Sequence, residues 1–325
     1  ETSTRLLDWV DHILLGHSEG LEKKLEAAGF ISTISTQLYR VYHHPGAQLP
    51  RVIVKDYALP VLGVAVSVDS IADFLMVRGM SGLIDGSPYS SYRECLVSSE
   101  NDISMWVVER RGNLTLEPVN ESDDYLKKYL TCLERWKTRP RAMADEEESM
   151  ELTLALAEDI VHRVGQDLAA WIILESERDY WQARNRAGQV QKNRQDKLGM
   201  GWANHDHHTF RSSRKQFTKL VRLFEILGFH CRERFYAGDE AGWGAQVMEN
   251  PNCRLILFLD VDLDPEELEI DFSHHPLPAL TRHGTIGLWC ALHGDSILKG
   301  GMHHLEAQFM FDALKEDLAG CGVAM

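Results

Sequence analysis

Apolar positions change their period several times along the chain, and each change marks an element. A short apolar run, Val10 to Leu15, precedes Ser18-Glu19, after which Leu21, Leu25 and Ala28 follow a helical spacing that Gly29 closes. "FISTISTQLYRVYHH" and "RVIVKDYA", split by Pro45-Gly46, then read as strands. "VLGVAVSV" and "ISMWVVERR" add strands around a helix, "SIADFLMVRG", with Asp69 as its expected cap. From Ser122 the period is helical, through "DDYLKKYLTCLERW" and a long stretch from Glu146 to Asn185, with Pro140 separating the two. Gln182 to Gly199 is polar and poor in large apolar residues, a pattern open to a solvated helix extension or a flap.

The opening pattern returns after Gly201. "WANHDHHTFRSS" reads as a strand, and "RKQFTKLVRLFEILGF" as an amphipathic helix stopped by Gly228. "HCRERFYAG", "WGAQVMEN" and "CRLILFLDVDL" read as three further strands. A βαβ unit extended by more strands therefore starts near Asp11 and again near Asn204, and this weak duplication is the main architectural clue. In the tail, "HGTIGLWCALHG" and "GGMHHLEAQFMF" are expected strands, followed by a helix over Asp312 to Leu318. The pattern gives an α+β chain in three parts: an N-terminal module over 1–121, a helical insertion and connector over 122–199, and a C-terminal module over 200–325.

Composition narrows the functional classes. The 325 residues carry 34 Lys+Arg and 49 Asp+Glu, a formal charge of −15, which disfavours a nucleic-acid partner. With 44% apolar and 26% charged residues the chain can bury a substantial core. No run reaches the roughly 18 apolar residues of a membrane-spanning helix, and Glu1 to Leu7 has no signal-peptide pattern. The six cysteines are scattered singly, as expected of reduced thiols in a cytoplasmic protein. Nothing in the pattern fixes the oligomeric state, and a homo-oligomer is compatible with it.

Fifteen histidines are many, and eight fall in the pairs His43-His44, His207-His208, His274-His275 and His303-His304. Imidazole is the commonest transition-metal ligand near neutral pH. In "NHDHHTFRSS" a strand period places His205, His207, Thr209 and Arg211 on one face, suited to a metal and an anionic substrate held by the guanidinium fork. His12 opens the first unit. If the two repeats pack with their first strands adjacent, it meets that cluster. In "GGMHHLEAQF", Glu306 shares a strand face with His304 and Gln308 and is the preferred carboxylate, with Glu249 as competitor. Two histidines and one carboxylate suit Fe(II) with open positions for oxygen and a bidentate substrate; Zn²⁺, Ni²⁺ or Mn²⁺ would instead polarise a carbonyl or activate water.

These units, each opening with a His-bearing strand, resemble the vicinal oxygen chelate superfamily, in which paired βαβββ modules form a cup around a divalent metal. "DHILLGHSEGLEKKLEAAGF", "HHTFR" and "HHLEAQF" are similar, within it, to the 2-oxoadipate dioxygenase/decarboxylase (2-hydroxyglutarate synthase) family. That resemblance implies His12, His207 and Glu306 as ligands, with His205 as a register alternative, and Fe(II) as the metal. It implies dioxygen and a small 2-oxo acid as substrates, with Thr209, Arg211 and Gln308 beside them. The chain departs from the family in having "ILLG" where an Arg follows the first His, so Arg211 or Arg282 is expected to hold the carboxylate. Two other classes stay open: a non-oxidative lyase, isomerase or hydrolase of the same fold, and a non-catalytic ligand-binding protein.

Overall fold

The structure is a computed structural model describing residues 6–45, 47, 49–56, 62–141, 143–203, 208–302 and 311–322. The first unit is β1 (Val10–Gly16), α1 (Leu21–Ala27), β2 (Ile31–Ser35), β3 (Tyr39–His43) and β4 (Arg51–Lys55). Its last strand returns to pair in parallel with its first, Leu14 against Ile53. α1 covers one face, where Leu21, Leu25 and Phe30 pack on Tyr42, Val52 and Val54. A second unit follows: β5 (Leu62–Ser67), α2 (Ile71–Arg78), β6 (Tyr92–Glu100) and β7 (Ile103–Arg110), with β7 parallel to β5. The cap of α2 is Ser70, one residue beyond the expected Asp69: its Oγ accepts from the Asp73 N–H at 3.2 Å.

β1 and β5 pair antiparallel, joining the two units into one sheet of order β2-β3-β4-β1-β5-β7-β6. The neighbour of the first strand is thus β5, not the strand expected at "HHTFR". The sequence pattern hides this second unit because it has one strand fewer than its neighbour.

Four helices come next: α3 (Asp123–Lys137), α4 (Glu146–Val164), α5 (Gln166–Gln182) and α6 (Arg186–Asp196). The last lies within the polar segment and is helical over Arg186–Asp196. The later unit is β8 (His208–Arg211), α7 (Phe217–Ile226), β9 (His230–Tyr236), β10 (Trp243–Asn250) and β11 (Leu255–Asp262). It forms its own sheet, β8-β11-β10-β9, with β11 parallel to β8, the same closure as in the first unit. The largest core lies between this sheet and the helices, where Trp136, Met150, Ile160 and Ile173 meet Phe210, Leu220, Phe224 and Leu257.

The tail departs from expectation. "HGTIGLWCALHG" is not a strand but the helix α8 (Thr285–His293). The Asp262 carboxylate explains the difference, since it accepts the N–H groups of Gly284, Ile286 and Gly287, each at 2.8 Å, and so satisfies the helix start. The expected strand around Glu306 lies outside the described residues; α9 (Phe311–Gly320) follows it. Among the described residues no helix is long and apolar enough to cross a membrane. The six cysteines form no disulfide.

Candidate functional site

His12 lies on the face of the first sheet opposite α1 and α2. It stands in register with Arg51 on β4 and Ala65 on β5, and two residues further on Leu14 packs with Ile53 and Trp106. The β1–β5 register shifts between Val10 and His12, a bulge that lets the consecutive residues Asp11 and His12 both be buried. His12 Nδ1–H donates to Asp11 Oδ2 at 2.7 Å, so the tautomer is fixed and Nε2 carries the free lone pair.

Asp11 collects cations. Arg110 binds it in a fork, Nε to Oδ1 at 2.6 Å and Nη2 to Oδ2 at 2.9 Å. Arg254, from the β10–β11 turn, reaches Oδ1 at 3.1 Å, and Arg51 Nη2 stands 3.5 Å from Oδ2. Burial opposes ionisation of Asp11, but Arg110, the His12 hydrogen bond and Arg254 outweigh it and hold the carboxyl well below its usual range. Burial lowers the His12 pKa against the pull of Asp11, with Arg110 and Arg51 adding to the depression, which keeps the imidazole neutral.

Residues 113–117 lie over this face: Arg51 Nη1 donates to Leu114 O at 2.7 Å and Arg110 Nη1 to Asn113 O and Thr115 O. Arg51 is buried, yet among the described residues its Nε and Nη2 find no hydrogen-bond acceptor, Nη2 standing only in ion-pair range of Asp11. Burial, then Arg110, pushes its pKa down to about 10. Two orphaned donors on one buried guanidinium are costly, and a ligand carboxylate would satisfy both. Beside it, Tyr92 O–H donates to Glu94 Oε2 at 2.6 Å beneath the Arg110 guanidinium, which lies 4.5 Å from the Tyr92 ring. Burial raises the Glu94 pKa.

Of the residues singled out from sequence, His205, His207, Glu306 and Gln308 lie outside the described residues. Thr209 and Arg211 lie on β8, in the other sheet from His12, so strand pairing does not bring them to it. Thr209 is buried, and Arg211 sits beside Asp260, 3.9 Å from Nε to Oδ2, under the Trp289 ring at 5.2 Å. Its backbone is tied to Ser296. Glu249 pairs with His230 and Arg232 at the surface.

The site residues that the motif reading passes over are Asp11, Arg51, Tyr92, Glu94 and Arg110. Their signal is slight: charged residues end the otherwise apolar strands "RVIVK" and "ISMWVVER". Where "ILLG" brings no cation along the chain, Arg51 and Arg110 stand across the sheet from it.

Two helix-bearing units, the first closed by a parallel return, meet here through their antiparallel first strands. The fold is mixed α+β, with paired helix-bearing units as the vicinal oxygen chelate resemblance implies. No protein-family model and no curated protein matches the sequence. Solved structures with some likeness include methylmalonyl-CoA epimerase from Mycobacterium tuberculosis, 14% identical, covering 34% of this chain and 93% of that one at a TM-score of 0.25. Glyoxalase I from Zea mays is 10% identical and covers 82% and 72%, with a TM-score of 0.25. A mutant of 4-hydroxymandelate synthase from Streptomyces coelicolor is 11% identical and covers 97% and 75%, also at 0.25.

As a metal donor, His12 fits: it is neutral, buried and oriented by a carboxylate. Its described surroundings oppose a bare cation, because the Asp11 carboxylate behind it is flanked by three guanidinium groups. A divalent ion there needs further negative charge, from a carboxylate ligand or from an anionic substrate.

Proposed function

We propose that this protein is a metal-dependent enzyme acting on a small carboxylate, a mononuclear non-haem Fe(II) oxygenase of the dioxygenase/decarboxylase type with a 2-oxo acid as substrate. The observation that carries this reading is the buried pairing of a neutral, Asp11-oriented imidazole with an Arg51 guanidinium whose Nε and Nη2 make no hydrogen bond to the described residues. Fe(II), when bound, supplies open positions for adjacent substrate oxygens and for dioxygen. Asp11 holds the tautomer that presents His12 Nε2. Arg51 receives the substrate carboxylate, and Arg110 stays committed to Asp11, so that site charge balances only when an anion arrives. Glu94, with Tyr92 donating to it, is the group on this face placed to take up a proton. His207 and Glu306 complete the proposed ligand set, with His205 as the alternative.

The test is metal analysis of anaerobically prepared protein followed by oxygen uptake across a panel of 2-oxo acids. We expect His12→Ala to lose the metal. Arg51→Met should keep it and raise KM about 10- to 100-fold, the loss of a charge-assisted hydrogen-bond pair. Full metal content in His12→Ala overturns the site. Turnover that proceeds without oxygen replaces the oxygenase by a non-oxidative enzyme of the same fold.

A further inference from the structure

In the later unit, Glu225, Cys231 and His274 converge, with one ligating atom of each within 4.8 Å of the others. Glu225 lies in the last turn of α7, Cys231 is the second residue of β9, and His274 follows the 3-10 turn Pro265–Glu269. Gly228, with φ 79°, reverses the chain so that the first two meet.

His274 stands between two carboxylates: Nδ1 lies 2.7 Å from Asp271 Oδ2 and Nε2 lies 2.8 Å from Glu225 Oε1. Asp271 is itself held by Arg234 at 2.9 Å. A proton on His274 accounts for this triad, and the imidazole pKa is raised accordingly, first by Glu225 and then by Asp271. It gives no role to Cys231, since a neutral thiol adds little to an ion triad. Burial, Glu225 and Asp271 raise the pKa of that thiol against the opposing pull of Arg234.

We propose that Glu225, Cys231 and His274 bind a zinc-class divalent cation, with Asp271 orienting His274 and a water completing a tetrahedron. The donor set is one nitrogen, one sulfur and one carboxylate oxygen, the mixture a borderline-soft ion prefers over calcium or magnesium. Asp271 on Nδ1 supplies the carboxylate–histidine pairing usual behind a metal-bound imidazole. Zinc arms of about 2.0–2.3 Å fit between atoms at these separations after small rotations of partly exposed side chains. Binding releases the Nε2 proton of His274 and the thiol proton of Cys231 to solvent, with no change of oxidation state. The ion pins the end of α7 to β9 and to the turn at 271–275.

The test uses the full chain, stripped with chelator and titrated with Co²⁺ under reducing conditions. We expect a near-ultraviolet sulfur-to-cobalt charge-transfer band that Zn²⁺ displaces. The ligands proposed around His12 include no sulfur, so the band reads Cys231 alone. Cys231→Ser should abolish it, Cys321→Ser should leave it, and His274→Ala should weaken binding by at least about tenfold. Absence of the band in the unaltered chain, or its survival in Cys231→Ser, overturns the proposal. Circular dichroism of each variant shows whether the fold is retained.

Discussion

A carboxylate with no exposure survives as an anion only when its neighbours outweigh the cost of desolvation, and Glu177 on α5 shows how many that takes. Arg139 and Arg141 reach its Oε1 at 2.7 and 2.8 Å, and the indole N–H groups of Trp136 and Trp181 donate to it at 2.7 and 3.0 Å. Burial raises its pKa, but Arg139 and Arg141 prevail and hold it below the usual carboxylate range. The sign follows: the stabilisation is complete above the unfolded value near ~4.3 and is lost as pH falls toward the folded value. Glu177→Gln keeps the shape but leaves two buried guanidinium groups unbalanced, so it should cost about 3–5 kcal/mol at pH 7. Its stability should also vary less than that of the unaltered protein between about pH 5 and 3. Urea unfolding at pH 7 and between pH 5 and 3 checks both; equal slopes would mean that folding does not shift the Glu177 pKa. His12 stands out in the sequence at the head of an apolar strand. Neither Glu177 nor Asp11 carries such a sign, because the cations that make them tolerable lie between 36 and 243 residues away in sequence.

Single elements were legible wherever one period ran long enough to be unambiguous, as in α7 with Phe217, Leu220, Val221 and Phe224 on its buried face. Short apolar runs were not, because they suit a buried strand and a buried helix equally. "TIGLWCALH" is such a run, and a residue more than 20 positions earlier decides it. Asp262 caps α8 from β11, and glycines at 284 and 287 leave the room: a Cβ on either would stand 2.6 or 2.4 Å from that carboxylate. Asp262→Ala should therefore cost about 2 kcal/mol, the upper end for a lost helix cap. Gly287→Ala should destabilise as well by displacing the same carboxylate. Urea midpoints with an unchanged slope would show this; a neutral Asp262→Ala would mean that α8 forms without its cap.

At the scale of the whole molecule, the duplicated pattern near Asp11 and Asn204 correctly marks two units with the same parallel closure, but it does not say which strands become neighbours. A strand edge pairs with whatever unit follows it closely, and β5 lies nearer along the chain than β8. The two sheets communicate instead through Arg254, which leaves the later unit at a φ of 57° and reaches Asp11 in the first. A positive φ at a non-glycine residue has a conformational cost that its surroundings must offset, and the contact with Asp11 is one such offset. Its strength is bounded by exposure. The Arg254 side chain is 40% exposed whereas that of Arg110 is 10% exposed, so solvent screens the first pair far more than the second. Arg254→Met should cost about 1 kcal/mol or less. Arg110→Met leaves Asp11 without its fork and should cost about 3–5 kcal/mol, while freeing the backbone carbonyls of Asn113 and Thr115 from the segment over the site. Parallel urea titrations of the two variants separate these effects. Equal losses would mean that the contact between the sheets holds Asp11 behind His12 as firmly as the fork within the first sheet does.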